Sequence, residues 1–375
     1  MGIGRKVKLF TDFSRQDFYS GESFRRIPVS IFYPTMAEGT SHYEDLYAPQ
    51  TELLVKIYGE GKKDRIQHLK QLETSFLNDA APDLSQPRPV IVFSHGLEAD
   101  RDFYLFLIEP LVREGYVVAT TGHLYDTDVT LLPTGETVPM KPGLLAESSF
   151  DERTSQIEAR SKDMMFVLDQ LAALNETDEW NNLLDLNRIA LAGHSLGGMT
   201  VLKSMVHPLA KAGVLLDAAL AYLDAEPTPG SGASLNKPIL NFRRGDVSYG
   251  DRLRRRVEQA KDKSPEKFRE ILLKEHASAL ADEAAVRALY HYAGGDCRQY
   301  IYMDRTVHMT FCDWFWLVSD KQDKRNLPIE EAHRSIVQVV SSFYREYLLE
   351  QGTPYSDLIC SAQTLGIHTE VIAPE

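Results

Sequence analysis

The most constraining feature of this chain is a short one. The apolar run Arg188-Ile189-Ala190-Leu191-Ala192 leads straight into Gly193-His194-Ser195-Leu196-Gly197-Gly198, and Met199-Thr200-Val201-Leu202 continues in residues that suit a helix. Strand, sharp turn and helix are the setting in which a G-x-S-x-G turn presents its serine at the top of a sheet. Gly193 and Gly197 let strand and helix approach without a Cβ clash. A serine hydroxyl is a weak nucleophile alone, and a helix N-terminus with a neighbouring base is what activates it. A bare G-x-S-x-G also closes ordinary βα units, but this flanking pattern favours Ser195 as nucleophile. His194, inside the motif, reads as packing behind the site.

The rest of the chain supplies the sheet that such a turn needs. Short apolar strands are predicted at 90–93, 116–120, 188–192, 213–216, 238–242 and 299–303. Between them lie helical patterns: one at 103–113, one with Ile157, Met164, Met165, Leu168 and Leu171 on one face, and a closing one with Ile336, Val339, Val340, Phe343 and Tyr347. Two β-rich runs open the chain, at 7–13 and 27–33, and read as antiparallel edge strands. Buried strands alternating with amphipathic helices predict an α/β class fold, the α/β-hydrolase fold, with a mostly parallel central sheet and helices on both faces. Ligands then sit at the carboxyl ends of the strands.

Residues 1–375 read as one such domain with two helical additions. The first, 36–88, is polar, with Leu53, Leu54, Ile57 and Tyr58 and then Ile66, Leu69, Leu72 and Phe76 at helical spacing. The second, 249–292, is highly charged and carries Phe268, Ile271 and Leu272 at the same period with no strand signal.

Ser94-His95-Gly96-Leu97 ends the 90–93 strand and precedes a helix, the place from which this fold offers one backbone N–H to a developing oxyanion. Leu97 is the expected first donor and Leu196, directly after the serine, the second. His308 follows the last parallel strand and lies downstream of the serine, as the chain order Ser, Asp, His requires, so it is the candidate base, with His291 as runner-up. Most other histidines, including His42, His68, His207 and His333, read as solvent-exposed.

Two carboxylates compete for the acid. Asp217 ends the apolar run Val214-Leu215-Leu216, 217 − 195 = 22 residues after the serine, where burial of its charge demands a partner such as the His308 Nδ1–H. Asp246 follows the next strand through Arg243-Arg244-Gly245, which also fits a surface ion pair. Asp217 is preferred and Asp246 is the alternative. Phe311, Trp314, Phe315 and Trp316 near the site fit either a core or an apolar pocket.

The formal net charge of −13 disfavours nucleic acid and anionic membrane surfaces and leaves a small-molecule ester as the expected partner. Cys297, Cys312 and Cys360 are too few for a disulfide framework and lack metal-ligand spacing. No H-E-x-x-H run is present, so neither metal nor cofactor is expected. The first residues carry no apolar signal-peptide core, Lys6 stands where a myristoylation motif at Gly2 needs Ser or Thr, and no apolar run is long enough to span a bilayer, so a cytoplasmic location is expected. Segments 53–77 and 249–292 suit a lid or a docking face, which is compatible with a homo-oligomer.

Assembled in this way, the chain resembles the platelet-activating factor acetylhydrolase family and the related bacterial dienelactone-hydrolase-like esterases. The resemblance rests on Val92-Phe93-Ser94-His95-Gly96-Leu97, on Gly193 to Gly198, on Leu216-Asp217-Ala218 and on Val307-His308, and runs from about residue 27 to 308. It implies Asp217 as acid and Leu97 with Leu196 as oxyanion donors. It also implies hydrolysis of short-acyl esters without a cofactor, on acetylated or oxidised phospholipid-like molecules or on small soluble esters. The 249–292 insertion is longer than the family leads one to expect, and the secretion signal and lipidation motif of its lipid-acting members are absent from residues 1–6. The same residues would also serve an acyltransferase, a thioesterase or an amidase or peptidase. A catalytically inactive binding protein is the remote alternative, and a fluorophosphonate probe separates it.

Overall fold

The computed structural model describes residues 2–48, 63–144, 149–223, 235–245, 257–258, 260–293, 298–317, 326–361 and 367–370. Among these, ten strands form one sheet: β1 (Gly2–Asp12), β2 (Arg25–Thr35), β3 (Phe76–Asn78), β4 (Arg88–Ser94), β5 (Val117–Thr121), β6 (Leu184–His194), β7 (Ala210–Leu216), β8 (Ile239–Arg244), β9 (Arg298–Met303) and β10 (Ile367–Glu370). Their order across the sheet is β10-β9-β8-β7-β6-β4-β5-β2-β1-β3. Strands β5, β4, β6, β7, β8 and β9 are parallel, while β2 and β10 run antiparallel to them.

The longer helices among the described residues are α1 (Lys63–Gln71), α2 (Leu105–Arg113), α3 (Phe150–Asn175), α4 (Leu196–Ser204), α5 (Pro265–Ala293), α6 (Ile329–Tyr347) and α7 (Pro354–Ser361). Alternation along β4 shows why both faces must be covered. Ile91 and Phe93 pack in the core shared with α2 and α6, and Val90 and Val92 in the core shared with α3 and α4. Helix α3 starts where the sequence provides a cap: Ser149 Oγ accepts from the Glu152 N–H at 3.2 Å, and the Glu152 carboxylate accepts from the Ser149 N–H at 2.8 Å. Its core face is Ile157, Met164, Val167, Leu168 and Leu171, with Met165 only half-buried.

The 36–88 segment departs from its helical expectation. Leu53, Leu54, Ile57 and Tyr58 lie outside the described residues, and α1 stops at Gln71. From there Thr74 and Phe76 are buried while Glu73 and Asn78 are exposed, so period two replaces period 3.6. Phe76 joins β3, which pairs in parallel with β1, and β1 is therefore covered where an edge strand was expected. In the 249–292 segment, described at 257–258 and from residue 260, α5 accounts for Pro265 onwards. Its buried residues are Ala285, Val286, Ala288 and Leu289, near its C-terminal end, whereas Phe268, Ile271 and Leu272 are half-buried. Those buried residues share a core with Leu220 and Leu223, just beyond β7. No helix among the described residues is long and apolar enough to cross a membrane.

Next to the strand ends lies a buried ionic cluster. Arg25 is 2% exposed and reaches Asp163, which is fully buried, at 2.7 Å; it also reaches Asp17 at 2.7 Å. Burial opposes the Asp163 charge, but Arg25 and the His123 hydrogen bond outweigh it and hold the carboxyl well below the ordinary range. Asp163→Asn leaves Arg25 short of its counter-charge and is expected to destabilise the fold by about 3–5 kcal/mol, read by urea unfolding. An unchanged unfolding midpoint would refute this.

Candidate active site

Ser195 sits between β6 and α4 with φ 55° and ψ −120°, a conformation that L side chains rarely adopt. The glycines around it are forced by close approach. A Cβ on Gly197 would lie 2.1 Å from the Ser94 carbonyl oxygen, and one on Gly193 would lie 2.3 Å from the Gly197 carbonyl oxygen. The elbow is tied to the end of β7 on both sides: Ser195 N–H donates to the Leu216 carbonyl and Ala219 N–H to the Ser195 carbonyl, each at 3.0 Å.

His308 opens a 3-10 turn, His308–Phe311, after β9. The structure brings three of the sequence-predicted residues into line. His308 Nε2 is 2.9 Å from Ser195 Oγ, and His308 Nδ1 is 2.5 Å from Asp217 Oδ2. The His308 side chain is 35% exposed and that of Asp217 only 1%, so the imidazole can meet solvent while the carboxylate cannot. Asp246, the alternative acid, lies outside the described residues. His291, the runner-up base, falls near the C-terminal end of α5.

Asp217 has partners that sequence reading missed. Arg244 Nη1 is 3.0 Å from its Oδ2 and Arg243 Nε is 3.5 Å from its Oδ1. Burial works against its charge, but these two guanidinium groups and the His308 hydrogen bond prevail and hold its carboxyl well below the ordinary range. The signal was the sheet register: Leu216 pairs with Phe242, which sets the residue after β7 beside the pair that ends β8. Adjacency in sequence instead assigned both arginines to Asp246.

Leu196 follows Ser195 directly at the start of α4, and Leu97 follows Gly96 after β4. Among the described residues neither backbone N–H is taken up by a backbone or side-chain acceptor. A Cβ on Gly96 would lie 3.3 Å from Ser195 Cβ, which puts this loop against the elbow. A second line of contacts joins the loop to His308. Gly96 N–H donates to the Tyr104 hydroxyl at 2.8 Å, Tyr104 donates to His194 Nδ1 at 3.2 Å, and His194 Nε2 donates to the His308 carbonyl at 3.1 Å. The His194 and His308 rings lie 4.6 Å apart. Burial and the neighbouring His308 push the His194 pKa down to about 3, so His194 stays neutral.

Phe311 is fully buried and packs edge-on against Phe242 at 5.4 Å, so it is core rather than pocket lining. Trp314 and Trp316 are half-buried against the same core. His333 corrects the expectation of exposure. It lies on the apolar stripe of α6, three residues before Ile336, is 4% exposed and stacks on Phe106 at 3.8 Å. Burial pushes its pKa down to about 4. The stability that this neutral ring contributes is fully present above the unfolded value of 6.5 and is lost as pH falls towards 4. Replacing it with an uncharged ring removes that loss. The stability of His333→Phe relative to wild type is therefore expected to rise by about 2 kcal/mol between pH 6.5 and 5, measured by urea unfolding at both pH values. A difference independent of pH would contradict the burial of a neutral imidazole.

Known proteins resemble this chain in fold and in sequence. The ferulic acid esterase from Streptomyces cinnamoneus superposes with a TM-score of 0.72, covering 99% of this chain and 96% of its own at 22% identity, a likeness that shows the fold. A probable 1-alkyl-2-acetylglycerophosphocholine esterase of Arthroderma benhamiae is 27% identical over 254 residues, 64% of this chain and 62% of that protein. The platelet-activating factor acetylhydrolase of Cavia porcellus is 29% identical over 140 residues, 31% of each chain. The matches thus span about three-fifths of one curated relative and a third of the other. Residues 14–321 match the profile of platelet-activating factor acetylhydrolase, isoform II. With most of its length under that profile and the fold of an esterase beneath it, the chain belongs to the platelet-activating factor acetylhydrolase, isoform II, family.

Proposed function

We propose that this protein is a serine carboxylic ester hydrolase that works through an acyl-enzyme. The observation that carries the reading is the continuous line from Ser195 Oγ through the His308 ring to Asp217, at 2.9 and 2.5 Å. Ser195 Oγ attacks the ester carbonyl as its proton passes to His308 Nε2. Asp217 keeps Nδ1 as the proton-bearing nitrogen and stabilises the imidazolium that forms. The backbone N–H groups of Leu97 and Leu196 hold the oxyanion. His308 then returns the proton to the leaving alcohol, and water repeats the sequence to release the acid. No step calls for a metal or cofactor.

The substrate is a short-acyl ester, either an acetylated or oxidised phospholipid-like molecule or a small soluble ester. Family membership and the relative named for a 1-alkyl-2-acetylglycerophosphocholine substrate support this class. A cytoplasmic location rests on the sparse cysteines, of which Cys312 and Cys360 are unpaired.

The test is hydrolysis of p-nitrophenyl acetate, butyrate and octanoate, with an acetylated glycerophospholipid, an anilide and a thioester analogue alongside. Preferential turnover of the short esters, with Ser195 labelled by a fluorophosphonate, is the expected result. Faster turnover of the anilide or thioester would redirect the reading to amidase or thioesterase, and absence of both turnover and labelling would overturn it.

A further inference from the structure

We propose that His95 is a positioning residue: held as its Nδ1–H tautomer, it clamps the Gly96–Leu97 peptide so that the Leu97 N–H faces the carbonyl attacked by Ser195. This rests on the oxyanion role of Leu97 proposed above. His95 is fully buried and cannot touch substrate itself.

Two contacts dictate the tautomer. His95 Nδ1 lies 2.6 Å from the Gly96 carbonyl oxygen, which can only accept, so Nδ1 carries the hydrogen. His95 Nε2 lies 3.2 Å from the His123 backbone N–H, which can only donate, so Nε2 presents its lone pair. Both ends of the ring therefore demand one form. Burial, with the charge of Arg160 and the neighbouring His123, keeps the ring neutral by lowering its pKa well below 6.5.

The consequence lies in peptide geometry. A trans peptide is planar and its N–H points opposite to its C=O. Fixing the Gly96 carbonyl on the His95 side therefore turns the Leu97 N–H to the other side. Gly96 has no Cβ, and one built there would meet His194 Nδ1 at 3.2 Å and Ser195 Cβ at 3.3 Å. The position must be glycine for close approach, yet glycine leaves the following peptide free to rotate. The preceding peptide is already held, because Arg160 donates to the His95 carbonyl and Gly96 N–H donates to Tyr104 at 2.8 Å. His95 supplies the remaining restraint. A donor that must be aligned before reaction is worth most when it cannot reorient.

The anchor of the clamp is itself held. His123 Nδ1 donates to Asp163 at 3.0 Å, and its Nε2 accepts from Ser94 Oγ at 2.9 Å. Ser94, His123 and Asp163 repeat the serine, histidine and aspartate order of contacts seen at the proposed site, but all three are fully buried. This array cannot meet a substrate. It fixes the His123 backbone, and so the ring of His95, to the ends of β4 and β5.

Two variants and one spectrum test the proposal. His95→Leu removes both ring nitrogens, while His95→Asn restores an amide N–H close to the Nδ1 position. With p-nitrophenyl butyrate, His95→Leu is expected to lower kcat by about 10- to 100-fold with little change in KM, and to slow fluorophosphonate labelling of Ser195 in parallel. His95→Asn is expected to recover most of that kcat. In wild type, nitrogen NMR of the His95 ring is expected to show a protonated Nδ1 and a bare Nε2 that do not titrate between pH 5 and 8.

An Nε2–H tautomer in that spectrum overturns the proposal whether or not the variants fold. So does a His95→Leu variant as fast as an active wild type, or a folded His95→Asn variant no faster than His95→Leu. If wild type itself neither hydrolyses esters nor labels, the esterase reading falls first and the positioning role falls with it.

Discussion

Ser195→Ala is expected to lower kcat for p-nitrophenyl acetate by on the order of 10⁶, with the protein still folded. The nucleophile and its base act as a unit, so His308→Ala should lose about as much, and the double variant hardly more than either alone. The 2.9 Å contact between Ser195 Oγ and His308 Nε2 is the physical reason, since a base without its hydroxyl and a hydroxyl without its base are equally idle. Oxyanion donors that remain should sustain a residual rate of about 10³–10⁴ over the uncatalysed reaction. Steady-state kinetics on the three proteins would measure this. A Ser195→Ala enzyme that keeps more than a few per cent of wild-type kcat, or a double variant whose loss is the product of the two single losses, would remove Ser195 and His308 from their proposed roles.

Asp217→Asn is expected to lower kcat by about 10⁴, because the His308 ring loses the partner that fixes its tautomer. The same change should also destabilise the fold, since Arg243 and Arg244 both point their guanidinium groups at this carboxylate from 3.5 and 3.0 Å. Arg243 is 4% exposed and is left near a neutral amide, whereas Arg244, at 22%, can turn partly to water. A loss of about 3 kcal/mol in urea unfolding is expected. The folded pKa of Asp217 is depressed, so this stability is fully present above the unfolded value of 3.8 and disappears only as pH falls below it. Asp246→Asn, by contrast, should leave kcat within a few-fold of wild type. Loss of activity in Asp246→Asn with Asp217→Asn unaffected would exchange the two carboxylates.

Much of the fold was legible because its signals are local. The strands in the middle of the sheet are short runs of β-branched and other apolar residues, and a strand buried on both faces needs only such a run to be recognised. The elbow was legible for the same reason, since the strand, two glycines and a helix-forming tail lie within 15 residues, from 188 to 202. Period decided the failures. Leu69 and Leu72 fit a helical repeat with Phe76, yet Thr74 and Phe76 are buried at a spacing of two, and the pairing of β3 with β1 took precedence over the local pattern. His333 is polar by type, and its place on the apolar stripe of α6 was the signal that was passed over.

By itself, then, the sequence determined the kind of sheet, the turn that carries Ser195, and the order in which Ser195, Asp217 and His308 follow along the chain. Only the tertiary structure decided who meets whom. His308 is 113 residues from Ser195 and 91 from Asp217, and no local periodicity reports a contact over such distances. The strand order β8-β7-β6 sets the loops that carry Asp217 and Ser195 side by side, and the register of β7 on β8 gives Arg243 and Arg244 to Asp217. The neutral rings of His95, His123, His194 and His333 follow from the same cause, because burial that forbids their charge is a property of the packed layers rather than of any residue in the chain.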